Sequence, residues 1–397
     1  MDAQCGCSLN HVYLAIDGGA TYTAFATTTR RICNLHNKHE IKAQDDGFKV
    51  PSVLYRNPST GDIQYLKPET GDPNALVDEL RYFKFSLMQS EDWRRGLGDA
   101  AVRDLIETTI DNFQTRMSTS DITAVALRAT YPHGWDSPPG EPRRRLEKAV
   151  EISGLAKLAH TVRYCTEHEA AVQAVLHDHR AELQAQLQDA AVYELKASDW
   201  VGQYLVKTCV MTGSMAMDLA FRRLTDRKMR DVYATLPLAI DDPVARKYQR
   251  AILTEWEEIK FSFDSSRLSG GSHSFRVFHP SDLPQAGAGP TSFEERSIGV
   301  HRDEFISIFA AAAKAVAEVI VDLHRHPGSK HPKFVFLTGG LAANIDICER
   351  VKDLVKMRLG ADGPIICCDP DKSWTTVARG AAMDGLVIPE DRQHKGE

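Results

Sequence analysis

Residues 11–29, HVYLAIDGGATYTAFATTT, decide the fold. Val12, Tyr13, Leu14, Ala15 and Ile16 form an apolar run of strand length. The run stops at Asp17-Gly18-Gly19-Ala20-Thr21, and a second β-rich run follows over residues 22–29. This pattern predicts a hairpin with the acid at its tip. Glycines there allow positive φ and let backbone N–H groups approach an anion closely. Asp17 is then a candidate for holding a hydrated Mg²⁺, with the Thr21 and Thr23 hydroxyls as candidate contacts to phosphate oxygens. A tight hairpin with Asp-Gly at its turn accounts for the same residues without any ligand.

The 397 residues suffice for two or more domains with sizeable cores. A hydrophobic fraction of 43% and a charged fraction of 26% place the chain among ordinary soluble globular proteins, expected in the cytoplasm. The net charge of −6 gives no reason to expect nucleic acid as a partner. No apolar run approaches the length of a membrane span. The first residues, MDAQCGCSLN, lack the basic start and apolar centre of a secretory leader. The eight cysteines are Cys5, Cys7, Cys33, Cys165, Cys209, Cys348, Cys367 and Cys368, and they lack the paired spacing of a zinc site. Reduced thiols without an assigned role are expected.

Beyond the hairpin, residues 30–42 read as a further β segment that ends before Gln44-Asp45-Asp46-Gly47. Residues 49–55 form a short strand that Pro51 places at an edge or a strand start, and residues 63–66 a return strand. Helical periodicity follows over residues 74–88 and 99–117. A strand over residues 122–131, a helix over 141–154 and a strand over 162–165 lead to Thr166-Glu167-His168-Glu169-Ala170-Ala171. Those six residues open a helix, with Thr166 as N-cap and Glu169 completing a capping box. Later strands are expected at 191–195, 204–211, 273–278, 331–337 and 365–368. Helices are expected at 214–224, 241–262, 303–324, from the Gly339-Gly340 turn to 359, and at 377–386. His324 and His326 read as surface residues that offset the helix dipole. A β-rich start followed by helices occurs twice, which suggests an α/β protein of two related halves with a ligand crevice between them.

Ala15-Ile16-Asp17-Gly18-Gly19-Ala20-Thr21-Tyr22 and Phe334–Asn344, FVFLTGGLAAN, carry a resemblance. Read together, they resemble the nucleotide-binding domain of the heat-shock protein 70 (DnaK-type) family, above all its divergent fungal-type relatives, within the actin-like ATPase superfamily. The likeness runs from about Val12 to Leu386. It implies a two-lobed actin-like ATPase (ribonuclease H-like) fold with ATP or ADP and Mg²⁺ in the cleft. The implied boundaries are a disordered terminus at 1–11 and a first lobe at 12–180 with a helical insert at about 61–119. A second lobe at 181–376 with an insert at about 226–300, a helix at 377–390 returning to the first lobe, and a tail at 391–397 complete them.

Residue by residue, the resemblance assigns Asp17 to the hydrated metal, and Gly18, Gly19, Ala20, Thr21 and Tyr22 to the phosphate loop. Gly339 and Gly340 fall to the adenosine side, although a Gly-Gly before a helix also serves simply to join it to a strand. Arg81-Tyr82-Phe83-Lys84 is similar to the segment presenting the family's catalytic lysine; on its own, Lys84 reads as a solvated helix residue. Glu167 falls near the metal and the attacking water, with His168 where relatives carry proline; a helix cap explains the same residues. Trp256-Glu257-Glu258-Ile259-Lys260-Phe261 resembles the adenosine-side helix, with Glu257 and Lys260 toward the ribose and Phe261 replacing an arginine.

One family motif is missing. The second phosphate loop, an Asp-x-Gly-Gly-Gly-Thr-x-Asp turn, should follow the Glu167 helix, yet no glycine lies between Gly154 and Gly202. Preorganised donors of this kind contribute ~2.7–4 kcal/mol each to a transition state, so hydrolysis is expected to be weak or lost. A pseudo-ATPase and a sequence lacking one short coding stretch share this pattern. After Leu386 only a polar tail follows, so no peptide-binding domain is expected. The alternatives are a non-enzymatic interaction scaffold that has lost nucleotide, with protein partners unspecified, and a small-molecule kinase of the same superfamily. The kinase lacks a convincing catalytic Asp.

Overall fold

The computed structural model describes residues 9–18, 22–33, 38–51, 53–56, 63–64, 78–81, 122–132, 135, 141–152, 159, 161–179, 214–236, 239, 242–265, 271–280, 294–326 and 331–387. The chain is an α/β protein that divides into two units. Unit 1 comprises Met1–Tyr204 and Trp374–Glu397, and unit 2 Leu205–Ser373.

In unit 1, β1 (Leu9–Gly18) and β2 (Tyr22–Cys33) form the expected hairpin, with Asp17 opposite Ala24 and Gly18 opposite Thr23. β1 begins at Leu9, ahead of the expected Val12 and inside the terminus expected to be disordered. β3 (Lys38–Pro51) pairs antiparallel with β2 and does not stop at Gln44. Thr27 faces Gln44 while Phe25 faces Phe48, so Asp45-Asp46-Gly47 is absorbed as a bulge inside the strand. A small sheet follows, of β4 (Val53–Arg56), β5 (Ile63–Gln64) and β6 (Asp78–Arg81), in the order β5-β4-β6. β6 corrects the helix expected over residues 74–88. Its four residues pair antiparallel with β4, and that ladder overrides the local helical period. The helix expected over residues 99–117 and the strands expected at 191–195 and 204–211 lie outside the described residues.

β7 (Ile122–Tyr131) runs parallel to β1, and β8 (Thr161–Thr166) parallel to β7. The five-stranded sheet therefore has the order β3-β2-β1-β7-β8. Leu14, Ala15 and Ile16 are all buried, as are Ala24, Phe25 and Ala26 on β2, so the middle of both strands is covered on both faces. Helix α1 (Glu141–Ile152) precedes β8, and α2 (Glu167–Asp178) follows it directly. The capping box forms: Thr166 N–H donates to Glu169 at 2.9 Å, and Glu169 N–H to Thr166 Oγ1 at 3.3 Å.

Unit 2 is built on α3 (Ser214–Tyr233), α4 (Pro243–Ser262), α5 (Arg302–Arg325) and α6 (Ile345–Leu359). α3 runs well beyond the expected end at residue 224, because Thr225, Met229 and Tyr233 continue its buried stripe. β9 (Ser272–Phe278) pairs antiparallel with β10 (Arg296–His301), a strand the sequence reading missed. β10 buries Ile298 and Val300 in alternation, too short a signal beside the long helix that follows. β11 (Phe334–Leu337) and β12 (Ile365–Cys368) pair in parallel. The core is aromatic: Phe221 stacks on Trp256 at 4.2 Å between ring centroids, and Phe263 on Phe309 at 4.1 Å. His324, expected at the surface, instead ends the buried stripe of α5, 4.8 Å from the His331 ring. Burial first, and the neighbouring His331 second, hold its pKa below the usual histidine value.

The last helix, α7 (Thr376–Val387), belongs to unit 1 and packs on α2 and on β1, β2 and β7. Their shared core is mostly alanine, including Ala15, Ala24, Ala26, Ala170, Ala378, Ala381 and Ala382. Side chains this small bring the two helices together, and Gly380 marks the closest point. A methyl group there would sit 1.6 Å from the Ala170 carbonyl oxygen. Across the same contact, Arg379 Nη2 donates to both carboxylate oxygens of Asp178, at 2.6 and 2.7 Å.

Gly380→Ala must therefore push α7 away from α2. Overpacking of this kind costs about 1–3 kcal/mol. Urea denaturation of the full chain should show an earlier midpoint for Gly380→Ala by that amount, and an unchanged midpoint would mean that Gly380 is not the point of close approach to Ala170.

Candidate functional site

Among the described residues, two clusters hold the sequence-derived site residues, one in each unit. The first is the edge of the unit 1 sheet where β1, β7 and β8 end together. Ile16 pairs with Ala129 and Thr130 with Cys165, so Asp17, Thr130 and Cys165 lie on one line across three strands, with Thr166 one residue further along β8. Thr130 Oγ1 donates to Asp17 Oδ1 at 2.8 Å and fixes that carboxylate. Glu167 follows Thr166 as the first residue of α2, and its place is set by the capping box behind it. One strand intervenes between Asp17 and Glu167, so their backbones are about 10 Å apart at the usual strand spacing. In open α/β sheets, the carboxyl ends of parallel strands are where ligands bind.

Gly18 ends β1, and Tyr22 begins β2. Gly19, Ala20, Thr21 and Lys84 lie outside the described residues, as does the stretch where the second phosphate loop was expected. His168 is exposed on the first turn of α2.

The second cluster is in unit 2. The buried face of α4 carries Ala245, Tyr248, Ile252, Trp256 and Lys260. Lys260 thus completes the buried stripe, while its neighbour Ile259 is only partly buried. Its ammonium is 3% exposed and 2.8 Å from Asp218 Oδ1 of α3, itself 2% exposed. The same Nζ lies 2.8 Å from Glu257 Oε2, one turn back on α4, and Trp256 Nε1 donates to Asp218 Oδ1 at 2.8 Å. A buried charge is tolerated only when paired and hydrogen-bonded in this way.

Asn344 joins this helix to the glycine turn. Its Nδ2 donates at 3.0 Å to the carbonyls of both Lys260 and Phe263, which α4 leaves unpaired at its C-terminal end. Its Oδ1 accepts from Ile347 N–H at 3.0 Å and so caps α6. Gly339 has φ +92° and ψ 178°, a region open essentially to glycine alone, and its N–H donates to Ser373 O at 2.8 Å. A methyl group on Gly340 would lie 3.8 Å from the Phe261 ring, so the turn and that ring face one another. Glu257, Lys260, Phe261, Gly339 and Gly340 are thereby gathered within one unit.

Sequence reasoning missed Thr130, Asp218 and Asn344. Asp218 carried a signal: it stands beside Met217 on the apolar stripe that Phe221 and Thr225 continue, where a carboxylate needs a buried cation. Asn344 lies one residue before the helix, the usual place for a cap. Thr130 becomes visible only once the parallel register of β1 and β7 is known.

No protein-family model matches the chain, and no curated protein matches it significantly.

Lys260→Met keeps the aliphatic stem of Lys260 but strands the Asp218 carboxylate. Breaking a buried pair by removing one partner costs about 3–5 kcal/mol, and chemical denaturation of the variant should show a loss of that size. An unchanged midpoint would mean that the Lys260–Asp218 pair does not support the core.

Proposed function

We propose that the chain is a nucleotide-binding protein of the heat-shock protein 70 type, taking ATP or ADP with Mg²⁺ and hydrolysing it weakly or not at all. The observation that carries this reading is the acidic edge of unit 1, with Asp17 held by Thr130 and Glu167 held by its capping box at the same edge of the sheet, one strand apart. It supports the actin-like (ribonuclease H-like) reading of the fold, with the edge serving metal and phosphates. The glycine turn facing Phe261 in unit 2 supports an adenosine-side role for Gly339, Gly340 and Glu257.

The donor set suits Mg²⁺. That ion keeps several waters and takes one or two carboxylates together with substrate phosphate oxygens. Among the described residues, no group of three or more His, Cys, Asp or Glu could hold a metal. Asp17 and Glu167 would hold the ion as it arrives with the nucleotide, and it would supply neutralisation of phosphate charge. Thr130 keeps the Asp17 carboxylate oriented for that task. The weak hydrolysis rests on the sequence alone, through the missing second loop. Among the described residues no helix is long and apolar enough to cross a membrane.

A nucleotide-free interaction scaffold is the second reading, and Lys260 favours it. Its ammonium is tied to two carboxylates inside unit 2, where a ribose contact would have to compete with them.

Calorimetric titration of the full chain with ATP and with ADP, each with Mg²⁺, separates the two readings. The nucleotide reading expects micromolar binding, weakened at least about tenfold, or ~1.4 kcal/mol, by Asp17→Ala. Absence of binding heat from a folded chain would overturn it in favour of the scaffold.

A further inference from the structure

The C-terminal end of α5 holds two histidines in contact. His324 closes the buried stripe of the helix at 8% exposure, and its Nδ1 is buried without a hydrogen-bond partner among the described residues. The His331 ring lies 4.8 Å away, centroid to centroid, and its Nδ1 is 3.0 Å from the His324 carbonyl oxygen. A carbonyl oxygen only accepts, so His331 Nδ1 carries a hydrogen and donates it. That oxygen is one of the last four carbonyls, which an α-helix leaves without a partner inside itself. His331 has φ +49°, a left-handed backbone that it alone adopts among the described non-glycine residues. Two residues later Lys333 O accepts from Ile365 N–H at 2.7 Å, and β11 begins at Phe334. The His331 ring therefore pins the entry to the strand that leads to the Gly339 turn.

We propose that His324 and His331 form an acid-operated latch, in which a proton taken up by His324 breaks the His331 contact and releases the chain entering β11. Neutral His324 suits its surroundings, and the charged ring does not. A protonated imidazole carries two N–H donors, and the one at Nδ1 has no acceptor in its buried place. The groups that act on the ring from the elements around it are His331 on the connection, Arg325 beside it on α5, and Asp362 on the turn after α6. Burial first, then His331 and Arg325, hold the pKa of His324 below the usual histidine value, against the pull of Asp362.

A histidine whose pKa is lowered by its folded surroundings takes a proton more readily once it leaves them. The latched form is therefore fully favoured above the ordinary histidine value of about 6.5 and loses ground as pH falls below it. The loss is at most about tenfold in population per pH unit, the limit for one proton, and ends once pH passes the lowered value. Breaking the His331 bond also frees a residue held in a sparsely populated backbone region. The far end of β11 keeps its own anchor, Gly339 N–H to Ser373 O at 2.8 Å, so the opening is confined to the entry of the strand. None of this requires a nucleotide, which keeps its test separate from the nucleotide reading.

The test is hydrogen–deuterium exchange of the full chain without nucleotide, at about pH 7.5 and about pH 5.5, either side of the ordinary histidine value, with intrinsic exchange rates divided out. Peptides covering residues 322–326 and 331–337 are expected to lose protection several-fold at the lower pH and to regain it on neutralisation, while those covering α3 and α4 keep theirs. His324→Leu, which fills the same buried place without a titrating group, abolishes the response. Unchanged protection of the two segments in the wild type, an equal loss throughout unit 2, or the same response in His324→Leu would overturn the proposal. The wild-type comparison decides by itself if the variant fails to fold.

Discussion

The close approach of α2 and α7 is the constraint on which unit 1 depends. It is set by the absence of a side chain at Gly380 against the Ala170 backbone, and by alanines on every surface around it. A helix from the end of the chain completes a sheet formed near its start, so the unit has no closed core until α7 is in place. The consequence reaches the acidic edge. α2 begins at Glu167, and the Arg379–Asp178 pair holds its far end, so α7 fixes the helix that presents the second carboxylate. Packing of the smallest side chains thereby sets the position of the most polar ones.

Unit 2 solves a different problem with the same economy. Its core contains a full ion pair, Asp218 with Lys260, tolerated because Glu257 and Trp256 complete the hydrogen bonding. Desolvation of two charges makes such a pair a weak source of net stability but a strict one for register, since any shift of α4 against α3 strands the Asp218 carboxylate. Asn344 then ties the end of α4 to the start of α6, and the glycine turn is held at Phe261 as a result.

Local signals carried much of this in the sequence. The hairpin around Asp17 was legible because an apolar strand, a glycine turn and a second strand are adjacent, and the Thr166–Glu169 capping box because it spans four residues. What escaped depends on partners far along the chain. Leu80 fits a helical period as well as a strand, and only pairing with β4 decides it. Asp45-Asp46-Gly47 is turn chemistry that a long β2 partner converts into a bulge. Lys260, given by the resemblance as a ribose contact, carries no local sign of a buried ion pair until Asp218, on another helix, is brought to it. The identities of Asp17 and Glu167 and the cap behind Glu167 were thus readable, but Thr130, which holds Asp17, was not.

The nucleotide reading draws on both clusters, Asp17 with Glu167 in unit 1 and the glycine turn facing Phe261 in unit 2, whereas the buried pairing of Lys260 favours the scaffold. Hydrogen–deuterium exchange of the full chain, with and without saturating Mg²⁺ and ATP, addresses that most directly, because it reports on both clusters in one experiment. Nucleotide binding predicts slowed exchange in the peptides covering Asp17 and in those covering Gly339 and Gly340. Exchange unchanged in both sets, at a nucleotide concentration that saturates heat-shock protein 70 type domains, would contradict it.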